Sequence, residues 1–144
     1  MTDRKATTTW RGALLDGAGS VSFDSSGAAG PLDVSWPSRA EEPGGSTSPE
    51  ELIAAAHSAC YSMALSGALA KAGTPPESLE TSAVVTISLE GGAHISKVAL
   101  TVRGNVPGIS EQDFLEAAEG AKDGCPVSKL MAGNTELTLD AGLA

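Results

Sequence analysis

The sequence predicts an α+β domain in which a mainly antiparallel sheet packs against one long buried helix. Three observations carry this. The run from Leu52 to Ala70 holds no charged residue and follows a well-marked helix start. Residues 81–90 and 95–104 alternate apolar and polar side chains on either side of a glycine-rich turn. The first third of the chain is a series of short β-prone runs punctuated by glycine. At 144 residues the simplest organisation is a single domain over 1–144, able to bury roughly two-thirds of the surface of its unfolded chain.

In chain order, ATTTWRGALL, VSFDS and PLDVSW read as strands of a meander or of paired hairpins, separated by turn-prone DGAGS and a Gly/Ala turn. PSRAEEPGGSTS reads as a loop, and it carries Arg39. Ser48-Pro49-Glu50-Glu51 then gives a capping serine, a proline at the first helical position and a glutamate three residues after the cap. The acids also suit the positive end of the helix dipole. The helix should end near Lys71-Ala72, before Gly73 and Pro75-Pro76. Ile53, Ala56, Cys60, Met63 and Gly67 fall on one stripe at spacings of three and four, and so few charges with so many small residues imply a central helix packed on several sides at close backbone approach.

Ala83, Val85, Ile87 and Leu89, then Val98, Leu100 and Val102, mark the apolar faces of a hairpin that turns through Gly91 to His94. Ser110 with Asp113 starts a second helix that ends near Gly124. Cys125-Pro126 opens a shorter helix closed by Gly133, and TELTLD is the last strand.

Acidic residues outnumber basic ones, 18 to 9, for a formal charge of −9. Such a chain repels phosphate backbones and anionic lipid, which argues against nucleic-acid and membrane-surface roles. MTDRKATTTW lacks the apolar core of a secretory signal, and the uncharged run is too rich in alanine, with His57 and Gly67 inside it, for a typical span. The expectation is a soluble cytoplasmic protein. In a reducing compartment its two cysteines are catalytic, metal-binding or inert rather than a structural disulfide.

Cys125 stands at a helix start, where free N–H groups and the dipole favour a thiolate. Cys60 is mid-helix and would need an imported cation to become reactive. Arg39 is the attractive source, because a guanidinium stays charged and forks to a carboxylate and a sulfur together. Glu50 or Glu51 could hold it in place. Three other readings stand beside this one. Cys60 could be buried filler, with Tyr61 and Met63 as packing. His57 and Cys60, one turn apart, could contribute to a zinc site with His94 and Cys125. His57 could also serve Cys60 as the base of a Cys–His hydrolase.

TSPEELIAAAHSACYSMALS (47–66) together with GCPVS (124–128) resembles the osmotically inducible protein C and organic hydroperoxide resistance (OsmC/Ohr) family, its OsmC branch in particular. The likeness runs from Trp10 through the final strand. It implies an OsmC-like fold, with antiparallel sheets around the central helix, in an intertwined homodimer with two interfacial active sites. The implied activity is a thiol peroxidase that reduces organic hydroperoxides without metal, flavin or haem. In that resemblance Cys60 is the peroxidatic cysteine, Cys125 the resolving one, Arg39 the arginine that stabilises the thiolate and Glu50 its partner. An external dithiol, of the lipoyl type, resets the disulfide. Ile53, Met63 and a partner subunit would supply apolar walls, leaving His57 to packing or a supporting hydrogen bond. The alternative is a non-enzymatic domain of the same fold whose cysteines are structural or bind a ligand.

Overall fold

The capped helix start read at Ser48 is present in the computed structural model, which describes residues 1–144. Ser48 Oγ accepts the Glu51 N–H at 3.1 Å, while the Glu51 carboxylate takes the Thr47 hydroxyl at 2.6 Å instead of returning to the cap. The chain divides into two compact units, Met1–Leu52 and Ile53–Ala144, with the boundary in the first turn of this helix.

The first unit holds β1 (Thr7–Arg11), β2 (Ala18–Ser22) and β3 (Leu32–Ser35), paired in that order as an antiparallel sheet. A short helix, α1 (Trp36–Ala40), follows where the sequence reads as loop. Ser35 and Ser38 cap it reciprocally and Pro37 pre-sets its first turn, but a helix of five residues is too short to show periodicity.

The long helix, α2, runs Pro49–Lys71. Gly73, at φ +91°, ends it in a Schellman turn: the Gly73 N–H bonds to Ala70 O and the Thr74 N–H to Leu69 O. The second unit continues with β4 (Ser78–Ser88), β5 (His94–Asn105), α3 (Glu111–Gly124), α4 (Pro126–Met131) and β6 (Glu136–Leu143). β4 and β5 form the expected antiparallel hairpin. β6 pairs with β5 in parallel, a departure from an all-antiparallel sheet. The α3 and α4 crossover between them permits this, since parallel neighbours need a long connection.

The core of the second unit gathers Tyr61, Leu65 and Leu69 from α2, Leu100 and Val102 from β5, and Phe114, Ala118 and Ala121 from α3. Gly104 makes room for α3, because a Cβ there would stand 2.7 Å from the Phe114 ring. Tyr61 buries its ring and donates its hydroxyl to Ala118 O at 3.0 Å, which satisfies its one polar group.

The buried stripe of α2 is therefore His57, Tyr61, Leu65 and Leu69, at intervals of four. Packing on several sides is not what this chain shows: Ala56, Met63 and Gly67, from the stripe read in the sequence, are exposed. Alanine and glycine compete poorly with Tyr and Leu for burial because they remove less apolar area from water. By length and hydropathy α2 could also cross a membrane; its Tyr61, Leu65 and Leu69 instead lie fully buried in this core.

Candidate active site

Two pairs of side chains stand out, one in each unit. In the first unit, Arg39 in α1 meets Glu50 in the opening turn of α2. Arg39 Nη2 donates to Glu50 Oε1 at 2.7 Å, and Nε lies 3.1 and 3.2 Å from the two carboxylate oxygens. Glu50 is buried, Arg39 is partly exposed, and the guanidinium carbon sits 5.9 Å from the centre of the Trp36 ring. A buried carboxylate without its cation would be costly, so the pair holds α1 against the start of α2 and fixes the guanidinium in one orientation. Glu51, the other candidate for this role, is engaged with Thr47.

A cleft of about 330 Å³ adjoins this pair within the same unit. Its apolar lining includes Trp10, Leu14, Val21, Val34, Trp36 and Leu52, and Arg39 contributes to it as well. The two tryptophans were not singled out by sequence, because an isolated aromatic in a short strand or an unrecognised helix carries no pattern. Met63, expected to wall the site, is 74 % exposed.

In the second unit α2 and α4 bring the cysteines together: Cys60 Sγ and Cys125 Sγ are 3.2 Å apart, and both are free thiols. Forming a bond requires the sulfurs to close by only ~1 Å. Their environments differ. Cys125 is fully buried, whereas Cys60 retains some exposure. Burial pushes the Cys60 thiol up and Cys125 adds to this, only partly offset by the Val127 N–H. Burial also works against a Cys125 thiolate, but the Ser128 N–H, the Cys60 thiol, the Ser128 hydroxyl and the Val127 N–H outweigh it and hold Cys125 below the ordinary thiol range. Cys125 caps α4, so the helix start read from CPVS accounts for this direction.

The sequence leaves His57 to packing or a supporting hydrogen bond, and the structure shows the bond. The side chain is fully buried, and its Nε2 lies 2.8 Å from Ser128 Oγ on α4. Ser128 belongs to the GCPVS motif, where nothing local to a serine signals a partner 71 positions away. His94 is exposed at the start of β5 and bonds through Nδ1 to Gly92 O. No group of three or more His, Cys, Asp or Glu side chains is gathered to hold a metal ion, so the zinc constellation of His57, Cys60, His94 and Cys125 does not form.

A family model described as OsmC-like protein matches residues 42–140 of this chain, which includes both cysteines. The chain belongs to the OsmC/Ohr family. Peroxiredoxin OsmC of Escherichia coli strain K12 is 41 % identical over 138 residues, spanning 95 % of this chain and 94 % of that protein. Organic hydroperoxide resistance protein OhrA of Bacillus subtilis is 31 % identical over 113 residues, spanning 76 % of this chain and 78 % of its own. Among solved structures, an organic hydroperoxide resistance protein from Elizabethkingia anophelis superposes with a TM-score of 0.79 at 27 % identity, over 100 % of this chain and 98 % of that one. OhrB of Bacillus subtilis superposes with a TM-score of 0.74 at 26 % identity, over 95 % and 97 %. The OsmC-like fold, with two small sheets and a long central helix, is thus shared along the chain.

Proposed function

We propose that this OsmC/Ohr protein is a thiol-dependent peroxidase that reduces organic hydroperoxides, with Cys60 as the attacking thiol and Cys125 as its resolving partner. The observation that carries the assignment is the 3.2 Å sulfur pair in which one member is reachable and the other fully buried. On this reading a peroxide approaches the partly exposed Cys60, and the buried Cys125 reacts only with Cys60. The 41 % identity to a peroxiredoxin over nearly the whole chain supports the same chemistry.

The Cys60 thiolate attacks the terminal oxygen of the hydroperoxide. The O–O bond breaks, the alkoxide leaves as the alcohol after taking a proton, and Cys60 becomes a sulfenic acid. The Cys125 thiolate then attacks the Cys60 sulfur, the S–S bond forms as the S–O bond breaks, and the departing hydroxide leaves as water with the proton that Cys125 had released. An external dithiol restores both thiols by exchange, and a lipoyl-type dithiol is the reductant proposed. No cofactor enters the cycle.

Cys60 is the less acidic member of the pair and needs a cation when it reacts. Arg39, oriented by Glu50, is the proposed source, delivered in an active site completed by a homodimer. The uninterrupted exposure of Ala55, Ala56, Ala59, Met63 and Gly67 along α2 favours a second copy as its cover. The apolar cleft beside Arg39 favours organic hydroperoxides over hydrogen peroxide. A reducing cytoplasm suits thiols that must be returned to this state.

One equivalent of cumene hydroperoxide should remove both free thiols from the reduced protein. Cys60→Ser should abolish the reaction, and Cys125→Ser should stop at a single turnover with sulfenic acid on Cys60. Sustained dithiol-dependent turnover by Cys60→Ser would overturn the mechanism, and slow, unselective oxidation of the parent protein would identify a non-enzymatic domain.

A further inference from the structure

Two sulfurs in contact are a donor pair as well as a redox pair. Cys60 Sγ and Cys125 Sγ stand 3.2 Å apart, both as free thiols of one chain. The backbone fixes each of them. Cys60 lies well inside the long helix α2. Cys125 joins α3 to α4, its N–H bonded to Ala121 O at 2.8 Å and its own carbonyl taken by the Lys129 N–H at 3.0 Å. A soft, thiophilic centre therefore meets both sulfurs already in place, and its second bond forms within one molecule.

The spacing selects among such centres. Zinc, ~2.3 Å from each sulfur in a tetrahedral site, spreads a thiolate pair to about 3.8 Å. Linear two-coordinate ions such as copper(I) and mercury(II) set their sulfurs further apart still. Trivalent arsenic forms its bonds at close to right angles, and the narrow bite that results matches the separation found here. The donor count selects again. Structural zinc takes four ligands and inorganic arsenite takes three thiolates, but no third His, Cys, Asp or Glu joins this pair. An arsenic atom that already carries one carbon substituent has two exchangeable positions, as many as there are sulfurs. That substituent also needs an exit. Cys125 is fully buried, but Cys60 keeps some exposure, and its α2 neighbours Ala56 and Ala59 are exposed and carry only methyl groups.

We infer that the reduced Cys60–Cys125 pair is a binding site for trivalent monoorganoarsenicals, which it closes into a cyclic dithioarsonite. The hydrated arsenical loses one hydroxyl to each sulfur. Cys60, the reachable thiol, displaces the first and Cys125 the second, and the two thiol protons leave with those hydroxyls as two waters. Cys125, held below the ordinary thiol range, favours the ring-closing step. Arsenic stays trivalent, so neither oxidant nor reductant is needed. The site requires only the two thiols and stands apart from the peroxidase reading.

The test mixes reduced full-length protein with one equivalent of phenylarsine oxide and reads intact mass and free thiols. One phenylarsenic group per chain, with both thiols lost, is expected. Excess mercaptoethanol should leave this adduct in place, whereas dimercaptopropanol, itself a chelating dithiol, should strip it. Cys60→Ser and Cys125→Ser should each bind about 100- to 10,000-fold more weakly, the gain that a second joined bond supplies. Oxidising the pair with diamide beforehand should abolish uptake, and excess zinc should not compete. A parent adduct that leaves one thiol free, that mercaptoethanol removes, or that zinc prevents overturns the inference, and all three are read on the unaltered chain. So does uptake that survives diamide or is undiminished in Cys125→Ser.

Discussion

The two units differ most in how much they bury. The second encloses Tyr61, Leu65, Leu69, Leu100, Val102 and Phe114, all at or below 1 % exposure. The first buries one apolar side chain, Val21, and leaves Trp10, Leu14 and Leu15 exposed. The cysteines belong to the dense unit and the Arg39–Glu50 pair to the sparse one. This division follows the range of the forces involved. A thiol pair reacts only when two sulfurs are held within a fraction of an ångström, which requires close packing on both sides. A guanidinium acts by charge over several ångströms and tolerates a looser frame, provided its own carboxylate fixes it.

The sharpest way to break this comparison is in the dense core. Phe114→Ala should cost ~3–5 kcal/mol in chemical denaturation, because its ring is fully buried and wedged over Gly104. A loss no larger than that of Val21→Ala, expected at ~1 kcal/mol in the same experiment, would remove the distinction between the units. Arg39→Ala should come next, costing ~1–2 kcal/mol by leaving the buried Glu50 carboxylate without its cation, discounted for the partial exposure of Arg39. Its larger effect should be on chemistry. A higher Cys60 pKa in thiolate absorbance titrations is expected, and an unchanged titration would assign the activating charge elsewhere.

A third prediction concerns pH. His57 has a folded pKa below its unfolded value because burial disfavours the imidazolium. Below the unfolded pKa of about 6.5, the unfolded chain binds a proton that the folded chain refuses. Stability should thus be full above that pH and fall as pH drops toward the folded pKa, at up to ~1.4 kcal/mol per pH unit. His57→Gln should flatten this slope between pH 7 and pH 5, and an unchanged slope would show that His57 is not its source. The smallest effect is expected at Asp140, whose pair with Arg103 lies at the surface. Asp140→Asn should leave the melting temperature unchanged within error, and a clear drop would mean that the edge strand β6 is less well anchored than its pairing with β5 implies.

Much of the site was legible before any fold. Ser48-Pro49-Glu50-Glu51 announced α2, Ser110 announced α3, and Cys125-Pro126 announced α4, because caps and prolines act within one turn of backbone. The resemblance around Cys60 and Cys125 marked the two cysteines whose sulfurs the fold brings to 3.2 Å. The local reading also anticipated that Cys125 would be the more acidic thiol, since an N-cap position is a property of sequence. What stayed hidden depends on neighbours far along the chain. The sequence implies packing of α2 on several sides, yet competition for burial favours the face of His57, Tyr61, Leu65 and Leu69. α1 was too short to have a period, and so Trp36 and the cleft it lines with Trp10 went unseen.

By itself, then, the sequence determined where α2, α3 and α4 begin, which two cysteines the family motifs mark and which family the chain joins, because capping and motif spacing are local. Only the tertiary structure decided that β6 runs parallel to β5 and that His57 reaches Ser128 across 71 positions. Those outcomes depend on which surfaces win burial, and that competition is settled across the whole chain at once.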